Sequence, residues 1–105
     1  MNDLRAIDAI ADLLAEDEYG LWEIVWRLRT LLPNESDEEV RRTARKCLRT
    51  LYTQGRILFV RRIGPTGSST PVDSSEIDSL LADSKSWDEP QKNQIQLLVE
   101  LADRK

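Results

Sequence analysis

The stretch Ser36-Asp37-Glu38-Glu39-Val40-Arg41-Arg42-Thr43-Ala44-Arg45-Lys46-Cys47-Leu48-Arg49-Thr50-Leu51-Tyr52-Thr53-Gln54-Gly55-Arg56-Ile57-Leu58-Phe59-Val60-Arg61-Arg62-Ile63 holds a helix start, a helix stop and a change of hydrophobic period. Ser36 followed three residues later by Glu39 is a capping box, in which the hydroxyl caps the amide of residue 39 and the carboxylate reaches back. Asp37, Glu38 and Glu39 suit the positive end of a helix dipole. Val40, Ala44, Cys47, Leu48 and Leu51 then recur at i, i+4, i+7, i+8 and i+11, which predicts one buried stripe. On the opposite side Arg41, Arg42, Arg45, Lys46 and Arg49 fall within an arc of about 140°. Gly55 suits the left-handed residue that ends a helix. Residues 56–63 are β-branched, aromatic and too few for another helix, so they read as a strand.

Two further helices precede this segment. Leu4, Ile7, Ile10, Ala11 and Leu14 share helical spacing with Asp8, Asp12 and Glu16 outside them, predicting a helix over 4–16 with Asn2 or Asp3 as its cap. Gly20 marks a break. Leu21, Ile24, Val25, Leu28, Leu31 and Leu32 line one face of a second helix, which Pro33 ends by disfavouring helical geometry in the residue before it. Trp22 and Trp26 fall on the flank of that face, one turn apart. This helix is apolar over more of its circumference than a surface helix needs, so further cover is expected.

Downstream, residues 64–71 are turn formers and read as a flexible loop. Ser74 or Ser75 is expected to cap a short helix carrying Ile77, Leu80 and Leu81. Residues 94–102 fit either period: Ile95, Leu97, Val99 and Leu101 alternate as in a strand, while Ile95, Leu98, Val99 and Ala102 have helical spacing. The strand reading is preferred because residues 56–63 need a partner. Trp87, Ile95 and Leu97 are expected to lie over Trp22 and Trp26.

Composition narrows the function. The chain has 105 residues, 40% hydrophobic and 32% charged, as expected for one soluble domain. The longest apolar run is Ile57-Leu58-Phe59-Val60, far short of the roughly 20 residues of a membrane span. With no apolar signal region, a cytoplasmic location is expected. There is no histidine, which removes Ser-His-Asp and Cys-His catalysis. The single cysteine, Cys47, sits within the apolar stripe and reads as a small buried hydrophobe. The loop at 64–70 lacks the Gly-x-x-x-x-Gly-Lys pattern of a phosphate cradle. No catalytic set, metal site or cofactor is expected.

Charge is sharply partitioned. Residues 1–40 carry eleven acids against three bases, residues 41–62 carry eight bases and no acid, and residues 63–105 carry eight acids against four bases. The net charge of -4 repels phosphate at long range, whereas the field of residues 41–62 attracts it locally.

Three helices, a strand and a Gly/Pro/Ser loop come in that order, and the junction Leu48-Arg49-Thr50-Leu51-Tyr52-Thr53-Gln54-Gly55-Arg56-Ile57 joins the third helix to the strand. The arrangement resembles a winged helix-turn-helix domain over residues 4–75, followed by an extension at 76–105. The resemblance implies a mainly α fold with a small β-sheet (α+β), a recognition role for the third helix, and a wing in the loop after the strand. It implies duplex contacts by Arg41, Arg42, Arg45, Lys46 and Arg49, with Arg61 and Arg62 at the wing base. Arginine pairs with guanine edges, and either base neutralises phosphate.

Two functions follow. One is a small DNA-binding transcriptional regulator, acting as a dimer on double-stranded DNA. The other is a winged-helix protein-interaction or assembly module whose basic face docks an acidic partner and whose Trp22/Trp26 flank docks an apolar one. For Trp22 and Trp26, cover from within the chain is preferred, with a homodimer or partner contact as the alternative.

Overall fold

Helical periodicity governs the first half of the chain and alternation the second. The computed structural model describes residues 3–63, 69–88 and 95–102. Helix α1 (Asp3–Glu16) buries Ala6, Ile10 and Leu14, one residue per turn. A two-residue strand β1 (Tyr19–Gly20) leads directly into α2 (Leu21–Leu31), which buries Leu21, Ile24, Val25 and Leu28. Glu23 starts that helix by accepting the Gly20 N–H at 3.0 Å, the same device as the carboxylate half of a capping box. A Cβ at Gly20 would stand 2.8 Å from Gln96 Nε2 and 3.1 Å from the Trp22 ring, so the close approach there favours glycine.

Helix α3 (Asp37–Thr53) starts where its sequence says it should, with Ser36 Oγ accepting the Glu39 N–H at 3.2 Å. Its stripe of Val40, Ala44, Cys47, Leu48 and Leu51 is fully buried. Gly55 follows the helix with φ +72°, the left-handed conformation that a side chain disfavours. The chain then enters β2 (Ile57–Ile63).

Strand β3 (Ser69–Pro71), helix α4 (Ser74–Ala82), a 3₁₀ turn (Ser84–Trp87) and strand β4 (Ile95–Leu101) complete the fold. The sheet is antiparallel in the order β1-β4-β2-β3. Residues 95–101 are a strand, pairing with β2 from Ile57↔Leu101 to Ile63↔Ile95 and with β1 through Tyr19↔Val99. The chain is thus an α+β fold, in which α1, α2 and α3 share one core with Ile57, Phe59 and Val99 from one sheet face. Tyr52 at the end of α3 packs on Phe59, ring centroids 5.4 Å apart.

The structure departs from the sequence reading in three places. Residues 95–101 are not an extension appended to a core ending near residue 75. They form an inner strand, because β2 pairs along one of their edges and β1 along the other. Ser69–Pro71, read as unpacked loop, pairs with Val60–Arg62 as an edge strand. Pro71 is tolerated there because an edge strand can lose a ladder donor. Asp73, not Ser74 or Ser75, caps α4, its carboxylate accepting the Ser75 N–H at 3.5 Å. The expected cap at Asn2 and residues 64–68 of the expected wing loop lie outside the described residues.

Candidate partner-binding surface

The outward side of α3 presents Arg42, Arg45, Lys46 and Arg49 to solvent, with Arg41 half-buried at its edge. Carboxylates from three other parts of the chain, and one from α3 itself, meet the basic residues singled out by sequence. Arg41 pairs with Asp88 beyond the 3₁₀ turn (3.4 Å), and Arg49 pairs with Asp78 of α4. Arg42 pairs with Glu38 within α3 at 3.8 Å. On β2, Arg61 holds Glu76 of α4 through two hydrogen bonds, 2.9 and 3.4 Å. Arg62 holds Glu18 and also donates to Ser69 Oγ at 2.9 Å, tying β2 to β3 and to the α1–β1 connection. The hydrogen bond and charge of Arg61 lower the Glu76 pKa below the usual carboxylate value, and the Arg61 pKa rises reciprocally.

Arg45 stands apart: it makes no ion pair among the described residues. The N-terminal turn of α3 presents Asp37, Glu38 and Glu39 to solvent, a negative end on a helix otherwise positive outside. The basic surface is therefore mixed in sign. Exposed pairs of this kind contribute about 0–1 kcal/mol each, so their effect lies in the field they cancel and not in stability.

Beside this surface lies a cleft of about 380 Å³ walled by Trp22, Val25, Trp26 and Arg29 of α2, Arg41 of α3, and Trp87-Asp88. The α2 residues follow i, i+3, i+4 and i+7, one helical stripe, so their meeting was legible in the sequence. Trp87 is buried at 3%, its indole N–H donating to Leu81 O at 2.9 Å, which fixes the inner wall. Trp87 thus reaches the Trp22/Trp26 flank as expected. Ile95 does not bury itself there; it remains 62% exposed, and Trp26 is 69% exposed. Cover from the described residues is incomplete.

A second groove of about 420 Å³, between the first half of α3 and the end of α4, shares Arg41 and Trp87 with this cleft and carries Arg45 on its wall. Sequence reasoning missed Arg29, Asp88 and the acids of α4 as members of one surface. Arg29 shares the face of Trp22 and Trp26, a usable signal. Nothing local marks Asp78 or Asp88 as partners of α3.

Among the described residues no group of histidine, cysteine, aspartate or glutamate is arranged to hold a metal, and no helix is long and apolar enough to cross a membrane. Compared with known protein families, curated proteins and solved structures, the chain matches none.

Proposed function

We propose that this chain is a winged-helix-like protein-interaction module that docks a partner across the α2–α3 side of the molecule. One observation carries the reading. At least five of the seven basic residues that duplex binding would use, Arg41, Arg42, Arg49, Arg61 and Arg62, are paired with carboxylates of the described residues, while the large Trp26 ring beside them stays 69% exposed. An exposed tryptophan beside arginines is the composition of an interface centre. A duplex backbone laid along α3 would meet Asp37, Glu38, Asp78 and Asp88 as well as the arginines, and the net charge of -4 repels it on approach.

Duplex binding is the second reading, favoured by Arg42, Arg45, Lys46 and Arg49 sharing the exposed side of one helix. Weak exposed pairs exchange for phosphate at small cost.

Site-specific photo-crosslinking separates the two. A photoreactive residue replacing Trp26, and separately Arg45, is expected to give a discrete protein adduct in cells, absent when the same residue replaces the exposed Arg5 of α1. Nucleic-acid adducts from position 45, with no protein adduct from position 26, would overturn the proposal in favour of the duplex.

A further inference from the structure

From the cleft and the adjoining groove we infer that the partner is engaged as an acidic linear peptide, one apolar or aromatic side chain resting on Trp26 and a carboxylate reaching Arg45 and Arg41. The inference rests on the protein-interaction reading and names its ligand.

Arg41 and Trp87 line both cavities, so the two are neighbours, and the proposed peptide channel runs through both, from α2 across α3 to the end of α4. At about 380 and 420 Å³ each section has the size of a side-chain or small-ligand site. One end is aromatic: Trp26 is open, with Trp22 and the fixed Trp87 behind it. The other end is ionic, and its hydrogen-bonding balance is one-sided. Asp37 lies 3.1 Å from Arg29, Glu38 lies 3.8 Å from Arg42, and Asp88 lies 3.4 Å from Arg41, so each carboxylate of the channel already faces an arginine.

What remains unmatched is donor capacity. The Nε–H group of Arg41 is buried without an acceptor among the described residues. The Arg45 guanidinium has no ion pair among the described residues. Buried donors left without acceptors cost free energy that a ligand acceptor recovers. A carboxylate supplies the strongest such acceptor, and arginine binds it with two parallel bonds.

A run of phosphates fits less well, because Asp37, Glu38 and Asp88 rim the same channel. A peptide places a single carboxylate at Arg45 and offers amides and carbon elsewhere. The occupant is therefore acidic at one point and apolar at another.

The test is selection from a displayed library of random short peptides on the full chain, followed by titration of an enriched peptide with tryptophan indole signals read by NMR. The inference expects enriched peptides to pair an acidic residue with a nearby aromatic or aliphatic one, and to move the Trp26 indole signal, assigned by its loss in Trp26→Phe. Trp26→Ala and Arg45→Ala should each weaken binding by tenfold or more, and Arg27→Ala, exposed on the same helix, should leave it unchanged. Both affected residues are exposed, so the variants fold. Enriched peptides that bind Trp26→Ala and Arg45→Ala as well as the parent overturn this inference while leaving the protein-interaction reading intact. Indole signals moved by a random-sequence duplex and by no peptide overturn both.

Discussion

The two faces of α3 were equally regular in sequence and are unequal in structure. Its inner face, Val40, Ala44, Cys47, Leu48 and Leu51, lies where periodicity puts it and is wholly buried. The outer face read as an uninterrupted positive surface, yet Arg41 and Arg49 are matched by Asp88 and Asp78, from segments far along the chain. Apolar burial is decided by the element itself, since one stripe must face the core whatever covers it. Charge is decided by what the rest of the chain brings alongside. A run of like charges in sequence is evidence about a helix face, and its field is known only once the tertiary neighbours are placed.

The sharpest way to test this contrast is to perturb each face and compare stabilities by chemical denaturation. Leu48→Ala on the inner face should cost about 2–5 kcal/mol, the loss of a fully buried leucine. Gly55→Ala probes the end of the helix rather than either face. A Cβ there meets nothing within 4 Å, so its cost of about 1–2 kcal/mol comes wholly from the positive φ. On the outer face, a double-mutant cycle over Arg49 and Asp78 should give a coupling of only about 0.2–1 kcal/mol, falling with added salt. A coupling as large as the Leu48→Ala loss would break the comparison.

The pair on β2 gives a pH signature. Arg61 lowers the folded-state pKa of Glu76, so the pair adds stability at pH above the ordinary carboxylate value. That contribution is lost as pH falls through the lowered folded value. A carboxyl-carbon NMR titration should place Glu76 below the usual glutamate range and return it there in Arg61→Ala. An unshifted Glu76 in the parent chain would remove the pair from the account.

Legibility followed range. The ends of α3 were readable because Ser36 and Gly55 act within one turn of where they stand. The strand at 95–101 was readable only as one of two periods; what selects it is pairing with Ile57–Ile63, a contact across nearly forty residues. Its place inside the sheet, beside β1, had no local signal at all, because Tyr19–Gly20 is too short to read as a strand. Of the candidate surface, Trp22, Trp26 and the arginines were visible as residue types. Trp87 was expected beside the tryptophans, whereas Glu76, Asp78 and Asp88, which cancel part of the field, join them only through the path of α4 and the 3₁₀ turn.

The most direct test of the central claim, that the chain's own carboxylates keep its basic face from nucleic acid, is fluorescence anisotropy of a labelled random-sequence duplex. It compares the parent chain with a Glu76→Gln/Asp78→Asn/Asp88→Asn variant at about 50 and 200 mM salt. The account predicts no binding by the parent even at the lower salt. It predicts binding by the variant that falls about 10³-fold across the range as released arginines take up phosphates. Tight, salt-sensitive binding by the parent, unchanged in the variant and lost in Arg45→Ala, would contradict it.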